Sequence, residues 1–132
     1  MKKIAFVASY MGLIAFLSLA PMDAGAKQLR FLAAVAPDIQ NLMHVPAYAL
    51  LAVLWMQVLT QWGRRDGDRV AATVCAAVGF GLVVELAQVF IPGRYASLTD
   101  GLVNTLGACL GVLVYLGVER CSPGRIRRLI CT

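Results

Sequence analysis

Four long apolar runs divide this chain, and each is bounded by polar or helix-breaking residues. The first extends from Ile4 to Ala20, interrupted by Ser9, Tyr10 and Ser18; the others cover residues 43–62, 70–91 and 100–118. Each reaches the ~17 residues that a helix needs to cross the hydrocarbon of a bilayer. The pattern predicts an all-α membrane bundle of four transmembrane helices in one domain, residues 1–132, with no internal repeat.

The connecting segments support these limits. Residues 21–42 are mixed, punctuated by Pro21, Gly25 and Pro37, and hold either a short interfacial helix over 27–36 or a plain loop. The second span begins near His44, because Pro46 is tolerated close to the first helical turn, where its missing N–H has no intrahelical partner. Gly63 to Arg69 reads as a polar turn, and Pro92-Gly93 ends the third helix because proline cannot continue the backbone ladder. Asp100, or Thr99 beside it, is placed to cap the fourth helix, and residues 119–132 form a basic tail.

Polar residues inside the last two spans recur with helical spacing. At about 100° per residue, Gly81, Glu85 and Gln88 share one sector, and so do Asp100, Asn104, Gly107 and Gly111. Gly107 and Gly111 form a G-x-x-x-G pair that lets another helix approach closely. That partner is either the third helix of the same chain, which would bring Glu85 and Gln88 alongside, or a second copy in a homodimer.

Composition agrees with the pattern: 60% of residues are hydrophobic, 14% are charged and the mean hydropathy is +0.75, outside the range of soluble globular domains. The net charge of +5 reflects topology rather than nucleic-acid binding, because the basic residues lie between spans and not on a polar face. With the N-terminus in the cytoplasm, that side holds Lys2, Lys3, Arg64, Arg65, Arg69, Arg120, Arg125, Arg127 and Arg128, against Lys27, Arg30 and Arg94 opposite. The bias places both termini in the cytoplasm and the chain in an inner or plasma membrane. Trp62 and Tyr115 then fall toward the inner interface as aromatic anchors. The first run competes with a secretory signal peptide, since Lys2-Lys3 precede it and Ala24-Gly25-Ala26 follow it, but its length favours a retained helix.

This topology gathers the polar residues near the extracytoplasmic face. His44 opens the second span, Glu85 and Gln88 close the third, and Asp100 and Asn104 open the fourth. At about 1.5 Å per residue, Glu85 lies roughly 9 Å before Ile91, within the outer leaflet. A charge at a helix centre costs around 2.5–3.5 kcal/mol on insertion scales, so Glu85 requires neutrality, a partner or a hydrated cavity. Arg94 is the nearest cation and His44 is the sole histidine. Carboxylate, imidazole and guanidinium at one depth can bind an anionic headgroup or transfer protons, with Glu85 and His44 as catalytic candidates.

The alternative is a network that only holds helices together. His44 can be an anchor, with Tyr48 one turn deeper to orient it, and Gln88 and Asn104 can bond between helices rather than to a ligand. Arg94 either binds an anion or pairs with Asp100. Cys75 and Cys109 lie mid-span as small packing residues, while Cys121 and Cys131 fall in the tail. One histidine without a Cys-x-x-Cys pair offers no metal, haem or iron–sulfur pattern, and no cofactor is expected. Phosphate loops, the G-x-S-x-G elbow and aromatic-basic nucleic-acid platforms are missing too.

The series Gly81, Glu85, Gln88, Phe90, Pro92, Arg94, Ser97, Asp100, Asn104, Gly107 and Gly111, preceded by His44-x-x-x-Tyr48, resembles the VanZ-like family of small integral membrane proteins over roughly residues 38–115. The chain departs from the family pattern at Gln40 and Asn41, where members often carry Asp-Lys; Asp38 lies two residues earlier. The family takes its name from a member associated with resistance to the glycopeptide teicoplanin. The resemblance implies an envelope role of that kind and supplies no reaction. Three functions follow as expectations: a protein binding membrane lipids or a lipid-linked headgroup in an outer-leaflet pocket, a headgroup hydrolase or transferase, and a structural subunit. The first is favoured.

Overall fold

A computed structural model describes residues 2–20, 37–63, 65–91 and 98–121, with side chains from Leu42 onward in the second stretch. Four helices account for nearly all of them: α1 (Lys2–Leu19), α2 (Pro37–Gln61), α3 (Asp66–Gln88) and α4 (Leu98–Cys121). All four contain a stretch long and apolar enough to cross a membrane, and no strand occurs among the described residues. The chain is a multi-pass, all-helical membrane protein.

Helix limits differ from the apolar runs for local reasons. α2 starts at Pro37, six residues before the expected span, since proline's fixed φ suits a first helical position. Pro46 therefore sits inside α2 rather than at its first turn. α3 starts at Asp66, after Arg65 in an extended conformation, with Asp66 and Asp68 in its positive first turn. It closes at Gln88 in tight turns, Phe90 N–H to Ala87 C=O at 3.2 Å and Ile91 N–H to Gln88 C=O at 3.0 Å. α4 begins at Leu98, so Thr99 and Asp100 lie within the helix and neither precedes it as a cap. Asp100 still favours the helix N-terminus electrostatically.

The turn joining α2 to α3 depends on Gly63, whose φ of 65° lies in the left-handed region. Its N–H reaches back to the Thr60 carbonyl at 3.2 Å. A Gly63→Ala substitution meets no neighbour but imposes a Cβ on that conformation. We expect a loss of about 1 kcal/mol in stability, measured by denaturant titration in detergent micelles; a gain would contradict the assigned backbone.

Packing centres on α2 and α4, the most closely apposed pair. Gly107 and Gly111 make this approach possible. A Cβ on Gly107 would lie 2.5 Å from the Val45 carbonyl oxygen, and one on Gly111 would overlap the backbone of Ala49. The G-x-x-x-G face thus receives α2, not α3, and a second copy of the chain would have to displace α2 to use it. Around this seam, Tyr48, Leu51, Ala52, Met56, Ala77, Ala108 and Val112 form the core.

α1 packs on α2 and α3 and does not meet α4. It buries Val7 and Ile14 and turns Phe6, Leu13 and Phe16 outward. Tyr10 Oη donates to the Ala47 carbonyl at 3.1 Å, and Gln88 Nε2 donates to the Ser18 carbonyl at 3.0 Å. Outward apolar side chains on every helix suit a lipid surround. Cys75 and Cys109 belong to that outer surface rather than to the packed interior, because their positions on α3 and α4 face away from the neighbouring helices.

Candidate functional site

Antiparallel packing brings the start of α2, the end of α3 and the start of α4 together. This end carries His44 and Tyr48 from α2, Gly81 and Glu85 from α3, and Asp100, Gly101 and Asn104 from α4. Apart from the adjacent Asp100 and Gly101, the residues recur at i, i+3 or i+4, so each helix presents its polar members on the side that meets the others.

Tyr48 is 1% exposed, its ring 6.2 Å from that of His44 at an interplanar angle of 27° and 6.3 Å from that of Phe80. His44, half-buried, thus rests on a ring that is itself fixed by packing. Gly81 leaves the space that Tyr48 and Asn104 fill: a Cβ there would stand 3.2 Å from Tyr48 Oη and 3.0 Å from Asn104 Nδ2. Asn104, 3% exposed, donates from Nδ2 to Glu85 Oε1 at 3.3 Å. The Glu85 carboxylate lies over Gly101, where a Cβ would touch Oε1 at 3.4 Å and Oε2 at 3.6 Å.

Acceptors outnumber donors in this cluster. Asp100 Oδ1 and Asn104 Oδ1 are both buried and have no hydrogen-bond partner among the described residues. An unpaired buried polar atom costs roughly 1–3 kcal/mol, more when charged; Trp55 Nε1, Arg69 Nε and Thr73 Oγ1 share the condition singly, while this cluster holds two such oxygens beside a carboxylate.

One residue grouped with this cluster by spacing stands elsewhere, and the cation expected beside it is outside the described residues. Gln88 shares a helical face with Glu85, but its amide is buried and bonds α1 at Ser18. Arg94 lies outside the described residues, as do Pro92 and Ser97. Gly107 and Gly111 serve the α2–α4 seam, one and two turns from Asn104. Gly101 and Phe80 were not singled out by spacing; a glycine directly after Asp100 is the signal available for the first.

A second polar cluster, read from sequence only as a turn and a basic tail, occupies the opposite end. Arg69 is 4% exposed and its guanidinium binds Asp66 Oδ1 at 2.5 Å, Thr60 Oγ1 at 2.5 Å, and Glu119 Oε1 and Oε2 at 3.2 and 3.3 Å. Thr60 also meets Tyr115 Oη at 3.1 Å. Tyr115 is therefore a buried member of this network and not an aromatic anchor at the interface, whereas Trp62 is exposed. An open groove of about 510 Å³ adjoins it, lined also by Val70, Leu116 and Arg120. The i, i+3 pair Asp66 and Arg69 at the edge of an apolar run was the available signal.

Among the described residues no group of three or more His, Cys, Asp or Glu side chains could hold a metal ion. The family model described as VanZ/LLP1 matches residues 2–119, which includes all of α1 and nearly all of α4. Comparisons with curated proteins and with solved structures found no match.

Proposed function

Because the chain belongs to the VanZ/LLP1 family of membrane proteins, we propose that it binds the headgroup of a membrane lipid or lipid-linked precursor at the cluster of His44, Tyr48, Glu85, Asp100 and Asn104. The observation that carries this reading is the pair of buried oxygens beside the Glu85 carboxylate that find no partner among the described residues. A network whose sole role is to join helices would pair its own acceptors, since unsatisfied polar atoms are costly in a low-dielectric interior.

The surplus of Lys and Arg near the termini and around the α2–α3 connection supports an orientation with both termini in the cytoplasm and the chain in an inner or plasma membrane. The His44 cluster then faces the extracytoplasmic leaflet. Asn104 and Glu119 are 15 residues apart on one helix, which separates the two polar ends by about 22 Å. That distance agrees with a site at one leaflet and a separate network at the other. Binding there alters envelope composition and, through it, sensitivity to glycopeptides such as teicoplanin.

Glu85→Gln and His44→Ala test the proposal. Both variants should insert and accumulate normally while weakening headgroup binding by roughly tenfold to a hundredfold, the effect of losing one hydrogen bond to a charged group. The measurement is comparative lipidomics of cells with intact and altered protein, beside membrane accumulation. Failure of both variants to accumulate would support a structural subunit instead. Conversion of labelled lipid headgroups by the purified protein would establish the enzyme reading, with Glu85 or His44 as base.

A further inference from the structure

Headgroups differ in whether they offer hydrogen-bond donors or acceptors, and the described cluster is one-sided in that respect. Glu85 contributes a carboxylate that receives one bond from the described residues, from Asn104. Asp100 contributes a buried, unpartnered Oδ1, and Asn104 an Oδ1 in the same condition within a side chain 97% removed from solvent, since the residue is 3% exposed. The other face of the Asn104 amide is already committed to Glu85, which fixes its oxygen as the free atom. Tyr48 and His44 pack ring on ring at the same end, and the bare backbone at Gly101 lets the Glu85 carboxylate lie against α4.

We infer that this site takes a primary ammonium group. Three separate acceptors, on Glu85, Asp100 and Asn104, match the three N–H bonds that such a group presents, and the two carboxylates supply the charge that offsets its desolvation. A phosphate alone is the wrong partner, because it would bring further acceptors and negative charge to unpaired oxygens. A trimethylated ammonium has the right charge and no N–H to give. The inference rests on the headgroup-binding reading and narrows its ligand class.

The test uses full-length protein purified in detergent, with native mass spectrometry of binding to dihexanoyl phosphatidylethanolamine, phosphatidylcholine and phosphatidylglycerol, and with ethanolamine as competitor. Phosphatidylethanolamine should bind at least ~10-fold more tightly than phosphatidylcholine, the loss expected when N–H bonds to charged acceptors are removed. Asp100→Asn, which preserves shape, should reduce that preference, and a preference that survives both Asp100→Asn and Asn104→Leu would overturn the assignment of the site. Ethanolamine competing at the concentrations of the lipid would uphold the ammonium and assign its source to a free amine. Preference for phosphatidylglycerol would overturn this inference and leave headgroup binding standing, whereas no binding of any lipid would sink both. A phosphatidylethanolamine preference that emerges only in Arg94→Gln would show the chain's own guanidinium filling these acceptors, and would overturn the inference as well.

Discussion

Replacing Gly111 with leucine is expected to unfold the bundle or prevent its accumulation. Even a single Cβ at this position overlaps the Ala49 carbonyl oxygen and stands 2.8 Å from its carbonyl carbon and Cα. Those are backbone atoms of a packed helix, so no rotamer change relieves the overlap and α2 must move away from α4. Overpacking costs 1–3 kcal/mol where side chains can adjust, and about 3 kcal/mol or more is expected where they cannot. Gly117 supplies the control, since nothing lies within 4 Å of its Cβ position; Gly117→Leu should change stability by less than about 0.5 kcal/mol. Unfolding in detergent followed by circular dichroism measures both. Equal stability of the two variants would contradict the α2–α4 seam, and a change confined to self-association would return the glycine pair to a dimer interface.

The second large effect is expected at Arg69. Substitution by methionine keeps much of the buried aliphatic volume but strips Glu119, Asp66 and Thr60 of their shared donor. Asp66 is 83% exposed at its side chain and returns to water at little cost, while Glu119 is 27% exposed and does not. Losing hydrogen bonds to a partly buried charge should cost roughly 2–3 kcal/mol. The double variant Arg69→Met with Glu119→Gln should recover more than half of that, because the uncompensated charge is removed along with its partner. A double variant as unstable as the two single losses combined would mean that the two residues act independently.

Much of this architecture is written in hydropathy. Four runs of sufficient length predicted four helices because a membrane leaves the backbone no other way to satisfy itself within a single segment. The stripes formed by Gly81 and Glu85 and by Asp100 and Asn104 were legible for a similar reason, since helical periodicity decides which residues share a face. What periodicity lacks is the identity of the facing helix. Gly107 and Gly111 identified a close approach without saying that α2 makes it, and Gln88 shares its sector with Glu85 while bonding α1. Arg69 was hidden differently. A basic residue at the edge of an apolar run is what topology alone would place there, so its role as a hub among Asp66, Thr60 and Glu119 emerges only when the distant end of α4 is brought beside it.

The attachment of α1 has an uneven signature. Two polar links to its neighbours each join a side chain to a main-chain oxygen, Tyr10 to Ala47 and Gln88 to Ser18. Every residue type provides that oxygen, so Ala47 and Ser18 carry no information specifying these two links; that information resides in Tyr10 and Gln88. A search for paired substitutions across related chains would therefore be blind to these links, although they fasten the first helix to both of its neighbours.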